Sequence, residues 1–147
     1  MTEVKPIQNI TIAKLLQLVP EESIQFSEDF LQALKPKKDY QYAIIILTPN
    51  TKIVRIIPTE TNQVYKISIN IGQLSPDFLR SIGNLFLRLG LQSLYSTGLC
   101  FVEEKCVFEG YIDSNQFKGI DLNELKKEIL DLEGITAVEI SILEINE

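Results

Sequence analysis

The stretch YKISINIGQLSPDFLRSIGNLFLRLG, residues 65–90, changes its hydrophobic period halfway along, and that change decides the fold class. In its first part Tyr65, Ile67, Ile69 and Ile71 alternate with Lys66, Ser68 and Asn70, which predicts a strand with one buried and one polar face. Leu74-Ser75-Pro76 then announces a helix. Ser75 is a candidate N-cap, Pro76 takes the first helical position where its missing N–H does no harm, and Leu74 can staple to Leu79. Phe78, Leu79, Ile82, Leu85, Phe86 and Leu89 form one apolar stripe, and Gly90 ends it.

Toward the C-terminus, residues 94–102 and 106–113 read as two strands reversed by a tight turn at Glu103, Glu104 and Lys105. Asp121 with Glu124 three residues on forms a capping box, and Leu122, Leu125, Ile129 and Leu132 line one helical face before Gly134. The last strand alternates Val138, Ile140 and Ile142 with Glu139 and Ser141. The order strand, helix, strand, strand, helix, strand over residues 63–147 predicts an α+β, ferredoxin-like βαββαβ fold. Right-handed crossovers place both helices on one face of an antiparallel sheet, covering Ile67, Ile69, Ile140 and Ile142. The other face would carry Lys66, Ser68, Asn70, Val107, Glu109 and Tyr111.

Toward the N-terminus, Ile12, Leu15, Leu16 and Val19 make a helical stripe stopped by Pro20. Ser27, Glu28 and Asp29 open a second short helix that runs through Leu34 and closes at Lys35-Pro36. Residues 40–47 and 52–57 read as a β-hairpin around Thr48-Pro49-Asn50-Thr51. Because Ile44, Ile45 and Ile46 point alternately to both faces, that strand needs cover on both sides or an oligomer contact. The polar run 58–62 divides the chain into an N-terminal extension of two short helices and a hairpin, residues 1–62, and a second domain, residues 63–147.

Composition narrows the chemistry. The chain has 147 residues and no histidine, which removes His-dependent nucleophilic catalysis, histidine metal ligation and an imidazole pH switch. Its net charge of −6 argues against a phosphate-tracking nucleic-acid binder. Residues 1–62 hold seven basic and seven acidic side chains, so all of the net charge lies in residues 63–147, with seven basic and thirteen acidic. No apolar run approaches the roughly 18 residues of a membrane span, and no secretory leader is visible, so a cytoplasmic location is expected. Cys100 and Cys106 are too few for a disulfide framework and read as reduced packing residues. No phosphate loop, dinucleotide fingerprint or nucleophile elbow is present, so no enzyme, cofactor or metal is expected.

Residues 63–147 resemble an ACT domain, the small-molecule-sensing module attached to many enzymes of amino-acid metabolism. The resemblance rests on Ser75-Pro76-Asp77-Phe78-Leu79-Arg80-Ser81-Ile82, on Asn84-Leu85-Phe86, on Leu89-Gly90-Leu91-Gln92, and on Leu132-Glu133-Gly134-Ile135-Thr136-Ala137-Val138. It implies a ligand loop between first strand and first helix, shared with a second copy of the domain. By position it would comprise Gly72, Gln73, Leu74, Ser75 and Pro76, with the Asp77 and Phe78 amides as donors and Gln92 as an amide side chain facing the ligand. Asp77 stands where the family has glycine, and the helix dipole favours its carboxylate there.

Three functions stay open on these residues. The first is a dimeric, non-catalytic sensor of an amino acid or related metabolite. The second is a ligand-free interaction or dimerisation module using residues 40–57. The third joins a winged DNA-binding unit in residues 1–62 to a sensor, which the neutral charge of that segment disfavours.

Overall fold

In the computed structural model, which describes residues 11–34, 41–72, 74–102 and 105–145, Ser75 and Gly90 bracket the longest helix as the sequence expects. The Ser75 side chain accepts the Phe78 amide hydrogen, Pro76 opens the helix, and Gly90 closes it at φ 71°, a left-handed turn that suits a residue without Cβ. The chain is α+β with antiparallel sheets. Its elements are α1 (Glu28–Leu34), β1 (Tyr42–Thr48), β2 (Ile53–Thr59), β3 (Gln63–Ile71), α2 (Pro76–Leu89), β4 (Tyr95–Val102), β5 (Lys105–Asp113), α3 (Leu122–Leu130) and β6 (Ile135–Glu144). A single 3-10 turn, Ser114–Phe117, follows β5.

Two compact units divide the chain, residues 1–37 and 38–147. In the first, α1 is tied by the Ser27 hydroxyl donating to the Asp29 carboxylate and by a Lys14–Asp29 ion pair at 3.4 Å. The hydroxyl bond leads in holding Asp29 below the usual carboxylate range, with the lysine adding to it. Residues 12–19 form no helix, contrary to the stripe read above, and Leu15 is fully exposed. A single two-turn stripe cannot offset the cost of helix nucleation without a surface to pack on.

In the second unit β4, β5, β3 and β6 form one antiparallel sheet in that order. Ile67, Ile69 and Ile71 of β3 share one core with Phe78, Ile82 and Leu85 of α2 and Leu125 and Ile129 of α3. Asp121 caps α3 by accepting the Asn123 and Glu124 amides, and Gly134 turns the chain at φ 86° into β6. Val138 is buried and Ile140 half-buried, but Ile142 is exposed rather than part of the core. Length explains it: nine residues of α3 cover about 14 Å. The ten residues of β6 run about 33 Å, so Ile142 lies beyond the helix's reach. Leu91, just past α2, is buried in the same core, whereas Leu87 is exposed.

The expected open face of the sheet is partly closed. Ile44 and Ile46 of β1 form a second core with Val64 and Tyr111, and Ile57, Leu94 and Tyr95 pack against it. Arg55 lies 4.6 Å from the Tyr95 ring centroid.

Cys100 and Cys106 are disulfide-bonded, not the free thiols expected, because they sit directly opposite each other in the β4–β5 ladder. Six residues of separation conceal that pairing in the sequence, since the register depends on an irregularity between Cys100 and Val102. Disulfides persist in oxidising surroundings, so a chain held in the cytosol would carry this pair as thiols. The turn expected at Glu103 and Glu104 lies outside the described residues. No helix among the described residues is long and apolar enough to cross a membrane.

Candidate functional site

Most of the residues singled out from the sequence lie in the stretch 72–78, and the Gly72 and Phe78 amides there are engaged within the chain. The Gly72 amide donates to the Gly134 carbonyl at 3.1 Å, tying the loop to the turn before β6. Gln73 lies outside the described residues. Leu74 is half-buried and leans toward β4, where its side chain would stand 2.7 Å from a Cβ added at Gly98. Ser75 Oγ takes the Phe78 amide at 3.2 Å, and the Ser75 carbonyl takes the Leu79 amide at 3.1 Å. Pro76 has no amide hydrogen. The Asp77 side chain turns to solvent and pairs with Arg80 at 3.9 Å. Phe78 is buried against Phe108 with ring centroids 5.8 Å apart, which makes it a core residue first.

Gln92 stands at the far end of α2. Fourteen helical residues separate it from Ser75 by about 21 Å, so one copy of the chain does not bring the two to a common ligand. Its backbone N–H donates to Gln116 Oε1 at 3.4 Å.

Removing the Ser75 hydroxyl tests how much this loop depends on its own cap. Ser75→Ala is expected to lower the unfolding free energy by about 1 kcal/mol in urea titration, because the Phe78 amide loses its acceptor. A change below a few tenths would mean that the cap is not made in solution.

A polar knot absent from the sequence-level candidates closes the end of the sheet. Asp113 is buried at the end of β5, and its two oxygens accept four bonds. Oδ2 takes the Glu60 amide at 2.8 Å and the Thr61 amide at 3.4 Å. Oδ1 takes the Thr61 hydroxyl at 2.6 Å and the Asn115 amide at 3.4 Å. Asn115 Nδ2 donates to the Glu60 carboxylate, while its buried Oδ1 has no partner among the described residues. Flipping the amide would set oxygen against oxygen, so this orientation is fixed by Glu60.

Beside the knot lies a cleft of about 160 Å³ lined in part by Pro58, Glu60, Gln92, Leu94 and Asn115. Pockets that hold small molecules run to about 300 Å³ or more. The cleft is small by that measure, and Asp113 latches the segment after the hairpin to the end of β5. The local signal was present as Asp113-Ser114-Asn115, a run of residues that favour caps and turns. Its partners Glu60 and Thr61 lie more than fifty residues earlier, where spacing rules do not reach.

On the same sheet face as Tyr111, Lys66 pairs with Glu109 at 2.9 Å and lies 5.6 Å from the Tyr111 ring centroid. The bond to Glu109 outweighs partial desolvation and holds the Lys66 ammonium above the usual lysine range. Its stabilising effect is therefore complete at neutral pH and disappears only as pH rises through that raised value.

The outward face of the hairpin is left apolar, on the strand for which the sequence asked cover on both sides or an oligomer contact. Cross-strand partners Ala43 and Pro58, Ile45 and Ile56, and Leu47 and Val54 form three apolar pairs on it. The strands carry one charged side chain between them, Arg55, and it faces inward over Tyr95.

Among the described residues no three acidic or cysteine side chains are grouped to hold a metal ion. The sequence matches no family model and no curated protein.

Proposed function

We propose that this chain is a non-catalytic regulatory module that works by protein contact, with residues 63–147 arranged as a ferredoxin-like βαββαβ unit of ACT-like build. The strand order β4-β5-β3-β6, taken with chain order, supports that arrangement, as does the single core shared by both helices. The observation that carries the functional reading is the loop at the start of α2. Ser75 consumes the Phe78 amide, Pro76 offers none, and the Asp77 carboxylate repels an incoming anion. The dipole of α2 is thus answered from within the chain.

A second reading, an ACT-like metabolite sensor, draws on the same strand order and on Gly72 and Ser75 lying between the first strand and first helix of that unit, where the family binds its ligand. Thermal-shift measurements with the amino acids at millimolar concentration separate the two. A ligand at a hundred times its Kd would stabilise the fold by about 2.7 kcal/mol, a shift of several degrees in Tm. The contact reading expects no such shift. A shift of that size, lost in Ser75→Ala, would establish the sensor instead.

A further inference from the structure

We propose that the Cys100–Cys106 disulfide is a reversible redox device, opened by a dithiol at Cys100, whose opening frees the outer end of β4 and slackens the start of α2. The inference stands apart from the contact reading above, and neither depends on the other.

The bond joins two unlike surroundings. Cys106 is buried in the core with Ile71, Leu91 and Phe108, whereas Cys100 is exposed on β4. Exposed disulfides are the reducible ones, because exchange requires a thiolate to reach a sulfur. Here a thiolate of the reagent approaches from the Cys100 side. It bonds to the Cys100 sulfur, the S–S bond breaks, and the electron pair of that bond passes to the Cys106 sulfur, which takes up a proton. The reagent's second thiolate then attacks the mixed disulfide, closes a cyclic disulfide within the reagent and releases Cys100 as a thiol. The chain gains two electrons and two protons, and the dithiol is oxidised. A free cysteine packs as a small hydrophobe, so Cys106 can keep its place and the main core survives reduction.

The outer end of β4 has little else to hold it. The strand lies at an edge in the order β4-β5-β3-β6, so only β5 pairs with it. The β4–β5 ladder shifts register between Cys100 and Val102, with one further pair beyond, Val102 and Lys105. Leu99 is 42% exposed and Phe101 67%, so burial contributes little there. Two residues back from Cys100, on the same side of the strand, Gly98 meets Leu74 so closely that a Cβ at Gly98 would lie 2.7 Å from the Leu74 side chain. Leu74 directly precedes Ser75, whose hydroxyl holds the Phe78 amide at the start of α2. Loosening β4 therefore removes a wall against which Leu74 packs, and the slack reaches that cap.

Amide hydrogen exchange of the full chain, followed by NMR before and after millimolar dithiothreitol without denaturant, tests this. Cys100→Ser and Leu74→Ala serve as variants, with circular dichroism as the check on folding. The expected result is that both cysteines titrate as free thiols. Exchange should then quicken at least tenfold at the ladder amides of residues 98–101 and at Phe78, and hold its rate at Ile67 and Ile69 in the core. Glutathione disulfide should restore the original rates, and Cys100→Ser should behave as the reduced chain with no reagent present. In Leu74→Ala the response over residues 98–101 should persist while that at Phe78 disappears. A bond that opens only in denaturant overturns the device. So does reduction that leaves residues 98–101 unchanged, or that quickens Ile67 and Ile69 equally. A Phe78 amide indifferent to reduction in the parent chain overturns its reach to α2.

Discussion

Ile129→Ala is expected to lower the unfolding free energy by about 3–4 kcal/mol, the largest effect of any single truncation considered for this chain. Ile129 is fully buried on α3 within the core that also holds Ile67, Ile69 and Ile112, all equally inaccessible. Removing three carbons there forfeits their transfer free energy and leaves a cavity whose walls belong to a helix and a sheet, neither of which can close in freely. Domains of this size are stable by about 5–15 kcal/mol, so the variant should show a clear drop in its urea midpoint with an unchanged slope. Ile142→Ala is the matched control. The same side chain on β6 is exposed, and its loss should fall within about 0.5 kcal/mol. Equal effects at the two positions would mean that α3 does not lie where the core places it.

Asp113→Ala is expected to cost about 3 kcal/mol, although it removes no apolar packing. Its carboxylate is the shared acceptor for the Glu60 and Thr61 amides, the Thr61 hydroxyl and the Asn115 amide. Leaving buried donors without an acceptor exposes the full desolvation penalty that the bond had offset. Asp113→Asn should recover little of the loss. Both carboxylate oxygens accept from backbone amides, so either orientation of the new side chain turns an NH₂ group toward a donor. Urea titration of both variants checks this, and an asparagine variant as stable as the parent would show that the knot is hydrated in solution. Because Glu60 and Thr61 directly follow β2, the loss should also loosen the hairpin, read as faster amide exchange at Ile44 and Ile46.

The two experiments probe different links between sequence and structure. The burial of Ile129 was legible in the spacing of Leu122, Leu125, Ile129 and Leu132, because a helical stripe must face something apolar. The role of Asp113 was not, because its partners at Glu60 and Thr61 lie 53 and 52 residues away. The disulfide was missed for a related reason: its two sulfurs meet only in one register of the β4–β5 ladder. The Ser75 cap was legible, and the structure shows its hydroxyl taking the Phe78 amide that the family resemblance had offered as a ligand donor. Residues 12–19 erred in the opposite direction, since their stripe meets the pattern of a helix and the structure gives it none.

By itself the sequence determined what neighbours along the chain decide: the strand period around Ile67, the caps at Ser75 and Asp121, and the stops at Gly90 and Gly134. These depend on backbone dihedrals and on hydrogen bonds spanning a few residues, so they are written locally. Only the tertiary structure decided which sheet face the hairpin covers, what Asp113 holds, which cysteines join and which apolar side chains of β1 and β2 remain in water. Each of those outcomes is a long-range contact, and its free energy depends on the shape of a surface that does not exist until the chain has folded.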